Sequence, residues 1–411
     1  MTATLAGSVA VLKTKYPKGK LPSAMHQKFP NIALFQRIED FSGANKVISL
    51  QTENPQGSSV DFQTALGSLA QSQYYNFTLT RSRHFGIARI QGEAMEASKD
   101  DAGALVDLWV NEINGISQTE MKCMEIYSFG NGSATLGQIT AGIATNTITV
   151  GPDVILNFDL NMRVNVVSDS TLAPVLRLGT VTITGINRQT GTLTISGAAW
   201  NVQVAGIAVG DFLTRAGDFA AGGINKVFHG YRSWVDGSAT PGTLYGLNRN
   251  PDPTRLAGQT VDLTGVPLED AIKDMEGLLD VQGQMEQLTL VANTKDINNL
   301  KKSLQGKATY EQANVKASVA NVSFSAVQFD GNYGKIPIIV SPFCPRNQAF
   351  MIARSTWAIE SLGPAPHLLK WDGPDFMRVA SDDAYEVRVG SYMALRTNMP
   401  VANIRSTGFG A

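Results

Sequence analysis

Residues that carry chemistry are scarce in this sequence. Only two of its 411 residues are cysteines, Cys123 and Cys344. They stand far apart, so they read as free buried thiols of a reducing compartment and not as a disulfide framework. The four histidines, His26, His84, His229 and His367, are scattered, and none lies at ligand spacing from another His, Cys or carboxylate pair. HExxH, CxxC and GxSxG are missing, as are a Walker loop and a GxGxxG after a strand. Asp100-Asp101 and Asp382-Asp383 are carboxylate pairs, but adjacent residues on a helix or strand point apart. The first pair reads as charge at a helix start and the second as a turn. No catalytic, cofactor-binding or metal-ligating residue is assigned, no cofactor is called for, and no enzyme activity is expected.

Charge is also sparse. Asp, Glu, Lys and Arg make up 17% of the chain, against about a quarter in ordinary proteins. The formal net charge of −1 removes the global basicity that would point to nucleic acid. No run of about 18 apolar residues offers a membrane span. In MTATLAGSVAVLKTKYPKGK the basic residues follow the apolar ones, the reverse of a secretory signal. The sequons at Asn76, Asn131 and Asn321 are therefore treated as chance. What is plentiful is glycine, with 39 residues, and apolar side chains, at 43%. Both suit many turns and β-structure, and a low charge fraction suits a surface buried against partners. The length allows two or three domains.

Residues 98–130 read as one long amphipathic helix. Leu105, Leu108, Trp109, Ile113, Ile116, Cys123, Met124 and Tyr127 recur at helical spacing and form one apolar stripe. Asp107, Asn111, Asn114, Gln118, Lys122 and Glu125 fall mostly on the other side. Ser98 with Asp101 gives a capping-box start, and Gly130-Asn131-Gly132 gives the stop. About 28 residues at about 1.5 Å each span roughly 42 Å.

Before the helix come an arm and a ribbon. Residues 1–40 carry Lys13, Lys15, Lys18, Lys20, Lys28 and Arg37 with no acid before Glu39, and Pro17, Pro22 and Pro30 break regular structure. They form either a strap that crosses an acidic neighbour or faces nucleic acid, or a solvated leader. Residues 41–95 read as a long β-ribbon with strands at 46–51 and 76–90 and an irregular Gly-, Ser- and Gln-rich tip at roughly 53–75. Alternation puts Phe77, Leu79, Arg81, Arg83, Phe85, Ile87 and Arg89 on one face. Three arginines among apolar residues suit a strand that crosses another subunit and meets carboxylates there.

After the helix the composition changes. Residues 133–152 carry no charge, and Thr, Val, Ile and Gly dominate. VTITGINRQTGTLTIS, residues 181–196, is a hairpin with its loop at 187–191. Residues 133–216 therefore read as a small β-barrel or sandwich inserted into a larger domain. From 217 onward the pattern is mixed α/β, with helices at 267–282 and 295–304 and strands at 287–292, 321–329, 335–342, 349–354 and 383–397.

Arm, ribbon, long helix, β-rich insert and mixed α/β half occur in an order that resembles the major capsid protein of tailed bacteriophages. KVFHGYRSWV (226–235), FDGNYGKIPIIVSPFCPRNQAFMI (329–352) and DAYEVRVGSYMALRTNMPVANIRSTGF (383–409) carry the resemblance most specifically, and VTITGINRQTGTLTI and AVGDFLTRAGD look like pieces of a barrel-type insertion. The resemblance implies an α+β Hong-Kong-97-like capsid fold. Its parts would be an N-terminal arm (1–40), an extended loop (41–97), a spine helix of a peripheral domain (98–132), an inserted β-rich domain (133–216), a peripheral return (217–250), an axial domain (251–372) and closing peripheral strands (373–411).

The same resemblance implies a structural subunit that assembles with itself into hexamers and pentamers of an icosahedral shell around packaged double-stranded DNA. Such a shell is a virion component assembled in the bacterial host cytoplasm, without a membrane. Lys13, Lys15, Lys18, Lys20, Arg81, Arg83 and Arg89 are the candidate inter-subunit contacts. A separate scaffolding protein, a portal and a decoration protein are the implied partners. Some relatives cross-link the ribbon through a lysine, but the only lysine in 41–95 is Lys46, near the ribbon base, which argues against a covalent mesh. The rival readings are a tail-tube or fibre protein and a β-rich hydrolase.

Overall fold

The computed structural model describes residues 28–93, 108–220, 224–283, 287–303, 312–316, 323–332, 334–369, 377–379 and 381–410. The chain divides into two units. The smaller takes 85–120 and 366–390 together with 1–27, and the larger takes 28–84, 121–365 and 391–411. The helix Leu108–Ser128 and the strand Ala384–Thr397 contribute residues to both.

The largest sheet of the larger unit has seven strands in the order Gln259–Asp262, Ile404–Thr407, Gln348–Ala353, Leu288–Asn293, Gly334–Ser341, Ser323–Gly331 and Gln312–Lys316. All six residues of Leu288–Asn293 are buried, as an apolar run in a central strand requires. Helix Leu268–Val281 follows Pro267, carries Glu269 and Asp270 in its first turn, and buries Ala271, Ile272, Met275 and Leu279. These side chains share one core with Leu290, Ile338, Met351 and Ile404 from the sheet. Helix Thr294–Ser303 begins where Asn293 Oδ1 accepts the Lys295 N–H at 2.9 Å.

Residues 133–216 hold a six-stranded antiparallel sheet in the order Thr135–Gln138, Phe212–Arg215, Arg163–Val167, Val181–Asn187, Thr192–Ile195 and Thr147–Thr149. A bridge between Ala141 and Thr149 brings the chain just after the first of these strands to the last, so the path curls back on itself. Inward alternation buries Val181, Ile183, Leu193 and Ile195 and exposes Thr182 and Thr184. The hairpin loop stands where alternation stops. Asn187 Oδ1 accepts from the backbone of Gln189 and Thr190 at 3.0 and 3.1 Å. Gly191 has φ +71, and a Cβ there would lie 2.1 Å from Gly151 C, so only glycine fits.

Two sequence expectations are corrected. The ribbon is Asn45–Glu53 paired antiparallel with Gln73–Thr80, and the expected 76–90 strand is broken at Arg81. Its remainder forms a separate strand, Ser82–Gln91, which pairs with Ala384–Thr397. Burial changes parity across the break. Phe77 and Leu79 are buried before it, Gly86, Ala88 and Ile90 after it, while Arg83, Phe85, Ile87 and Arg89 are exposed. The seven residues expected on one face therefore do not share one.

The long helix is the second correction. Leu105 and the expected capping box at Ser98 and Asp101 lie outside the described residues, as do the side chains of Leu108, Trp109 and Asn111. Cys123, Met124 and Tyr127 are buried as expected, but so are Lys122 and Glu125, which were placed on the solvent side. The last turns are enclosed on every side by the larger unit, and the polar groups there are matched by protein partners. The helix ends at Ser128, and Gly132 takes φ +86 against the His229 ring.

Candidate assembly surface

The base of the ribbon is fastened to its own subunit. The Phe77 ring lies 5.0 Å from the Trp234 ring, which in turn lies 5.6 Å from the Tyr245 ring. Lys46 Nζ reaches Asp40 at 2.5 Å and the fully buried Glu360 at 2.7 Å. This lysine is therefore engaged within its own chain. Farther along, Arg255 pairs with Glu53 and donates to the Thr52 carbonyl at 2.6 Å.

The far end of the ribbon is different. Asp61 caps the short helix Phe62–Gly67 through the Thr64 N–H at 2.8 Å, yet this helix buries nothing. Val60 is 109% exposed, Phe62 76%, Leu66 52% and Leu69 68%. Four large apolar side chains within ten positions on one projection form a patch of the kind that marks an interaction site. Sequence reading saw only a Gly-, Ser- and Gln-rich tip. The 62/66/69 spacing was the signal available, and it was too short to register as a helix.

The candidate contact residues divide into three groups. Lys13, Lys15, Lys18 and Lys20 lie outside the described residues. Arg81 turns inward: its Nη1 donates to the Phe41 carbonyl at 2.7 Å, and its guanidinium sits 4.8 Å from the centre of the Phe41 ring. Arg83 and Arg89 are exposed. Arg89 meets Glu386 at 2.8 Å, and Glu386 also accepts from Arg388 at 2.6 Å. Those two hydrogen bonds, Arg388 first, hold the Glu386 carboxyl below its usual range.

In the core of the larger unit, Glu125 joins three segments. Its carboxylate accepts from Asn31 N at 3.2 Å, Ile32 N at 2.9 Å and Ser341 Oγ at 2.7 Å. Asn31 is held in turn by Tyr231 Oη at 2.7 Å and by Ser128 Oγ at 2.6 Å. Burial pushes the Glu125 carboxyl up to about 7, against the pull of those donors. His229 is pushed down to about 4, chiefly by burial. Among the described residues no group of three or more His, Cys, Asp or Glu side chains could hold a metal ion. The arrangement grips, positions and presents.

Comparison with known proteins agrees with this. Residues 212–389 match the family model of the SU10 major capsid protein. The chain superposes along its whole length on a subunit of the cyanophage A-1(L) capsid asymmetric unit, with 10% identity, 100% of both chains covered and a TM-score of 0.56. The capsid of the native GTA particle is similar at 8% identity over 99% of each chain, with a TM-score of 0.52. The capsid of the empty GTA particle gives 9% identity, 98% and 97% coverage and a TM-score of 0.53. No curated protein sequence matches. The fold is that of phage capsid subunits, of the α+β class. The family match bears on residues 212–389 alone.

Proposed function

We propose that this subunit closes an icosahedral shell of hexamers and pentamers around packaged double-stranded DNA, with the ribbon tip seated on a neighbouring copy. The observation that carries this reading is the tip itself: Val60, Phe62, Leu66 and Leu69 are exposed on a two-stranded ribbon whose base is locked in place. A two-stranded ribbon is marginal alone in water and needs a surface to rest on. Seating the tip on a neighbour would remove that apolar area from water at roughly 25 cal/mol per Å².

The finer assignments follow the same frame. The arm (1–40) straps a second neighbour, 41–97 is the extended loop, and 98–132 is the spine. Residues 133–216 form an inserted barrel, 217–250 the peripheral return, 251–372 the axial domain at the capsomer centre, and 373–411 the closing strands. Arg83 and Arg89 are exposed contacts toward neighbours. Arg81 acts indirectly, by setting the angle at which the ribbon leaves its base. Lys46, engaged by Asp40 and Glu360, supports a shell without a covalent mesh. A scaffolding protein, a portal and a decoration protein complete the assembly in the host cytoplasm, and no catalytic role is assigned. The near-neutral chain suits a container that does not hold DNA by phosphate neutralisation.

Negative-stain microscopy of the purified chain tests this. Closed polyhedral shells are the expected image. Rings or rods would instead assign the chain to a tail tube or fibre.

A further inference from the structure

Three arginines of the larger unit converge on one carboxylate. Arg249 is 3% exposed. Its Nη1 donates to the Ser233 carbonyl at 2.7 Å and its Nη2 to the Pro241 carbonyl at 2.9 Å, and Nη2 stands 3.7 Å from Asp236 Oδ2. Arg232 lies in the short helix Tyr231–Trp234, four residues before Asp236. Arg405 comes from the strand Ile404–Thr407, in register beside Thr260. Thr260 Oγ1 donates to the Asp236 carbonyl at 2.7 Å, and Arg405 feels both Asp236 and Arg232. The Nε of all three arginines is buried without a hydrogen-bond partner. The Asp236 side chain is 35% exposed, so the cluster is reachable from the surface there.

Three guanidinium groups against one carboxylate leave an excess of two positive charges. Arg405 feels the repulsion of Arg232, and burial holds all three guanidiniums below their ordinary range. Buried arginine is ordinarily matched by carboxylates that its planar fork can grip. Arg232 and Arg405 have no hydrogen bond or ion pair among the described residues, so the match is missing from the isolated subunit.

We propose that Arg232 and Arg405, set beside the internally bonded Arg249, form a receptor for an acidic side chain of a second copy of this chain. The inference rests on the shell reading above and names one of its contacts. A duplex presents a convex line of phosphates that exposed side chains meet. Here the unpartnered Nε atoms lie below the surface, a setting for one inserted group and not for a line of phosphates. The chain carries 34 basic and 35 acidic residues. A local excess of positive charge is therefore balanced by acid elsewhere on the same molecule, which makes copies mutually complementary.

The test uses Arg232→Gln, Arg405→Gln and the charge-keeping Arg232→Lys in the full chain. Unassembled subunits are melted, and assembly is followed against concentration and salt by sedimentation and microscopy, with DNA content recorded. Removing either charge relieves repulsion, so the Tm of the isolated subunit rises. The concentration needed for shell closure rises about tenfold for each arginine lost. High salt moves wild type toward the variants, and Arg232→Lys falls between. Unchanged assembly of both Gln variants overturns the proposal, as does a lowered subunit Tm, which would make the arginines supports of the fold. Shells that close normally but lose DNA assign the cluster to phosphate and overturn it too. A wild-type chain that closes no shells sinks the shell reading, a different failure from indifferent variants beside a competent wild type.

Discussion

The ribbon and the 133–216 sheet are both excursions of β-structure from one chain, and they settle their apolar surface in opposite ways. The six strands of 133–216 curl until Ala141 meets Thr149. Val164, Val166, Ile183, Leu193, Trp200 and Leu213 are then fully removed from water. The ribbon has two strands and no second layer. It buries Phe77 and Leu79 at its base and leaves Val60, Phe62, Leu66 and Leu69 in solvent at its tip. A sheet that curls back on itself supplies its own inside and protects its edges. A two-stranded ribbon cannot, and its tip side chains stay in solvent in the single chain. On the shell reading, one region is stabilised by folding and the other by assembly.

That contrast breaks most visibly if the tip is removed. Replacing 54–72 with a short Gly/Ser turn leaves the subunit's melting curve nearly unchanged and abolishes closed shells, read by sedimentation and microscopy. Equally heat-stable shells would end the distinction. Trp200→Ala probes the other side. Loss of a fully buried ring costs about 3–5 kcal/mol, and here it falls on the folding of the unassembled subunit, measured by denaturant titration. A loss seen only in the shell would mean that 133–216 is not self-sufficient.

Glu125 belongs to neither region and reports on their common support. Its carboxyl, ordinarily near 4.5, is raised to about 7 in the fold. The linked stability is complete below the unfolded value and is lost as pH rises through 7. The difference is on the order of 3 kcal/mol at alkaline pH. The unassembled wild-type subunit should therefore melt lower at pH 8.5 than at pH 5.5, and Glu125→Gln should flatten that slope in calorimetry. A wild-type Tm that climbs over this range would contradict the assignment.

Smaller effects separate the arginines of the ribbon root. Arg81→Ala loses a hydrogen bond from a charged donor and a contact with the Phe41 ring, about 1–2 kcal/mol of subunit stability. Arg83→Ala touches an exposed side chain and should stay within about 0.5 kcal/mol of wild type by the same chemical denaturation. Any larger effect of Arg83 should appear only in shells.

Where sequence reading succeeded, the controlling interactions were local. The hairpin at 181–196 follows from alternating Val, Thr and Ile closed by Asn187 and Gly191, and the structure has strands Val181–Asn187 and Thr192–Ile195. The helix expected over 267–282 follows from Pro267 and an acidic first turn, and the structure has Leu268–Val281. Where reading failed, a distant segment decided. Alternation ran straight through Arg81, but the side chain is bound to Phe41, 40 positions earlier, and the strand breaks there with its parity reversed. The arginine cluster had no signature at all, because Arg232, Arg249 and Arg405 come from separate elements and meet only at Asp236.

By itself, the sequence determined the hairpin at 181–196, the helix within 267–282 and the capsid-like fold class, because periodicity and turn chemistry act within a few residues. Tertiary structure alone decided which polar groups stay dry and which apolar groups stay wet. Glu125 is buried because Asn31, 94 positions away, brings it a backbone donor. Phe62 is exposed because no part of its own larger unit covers the tip. Desolvation depends on what a side chain finally packs against, and that neighbour is set by the whole chain's path through space.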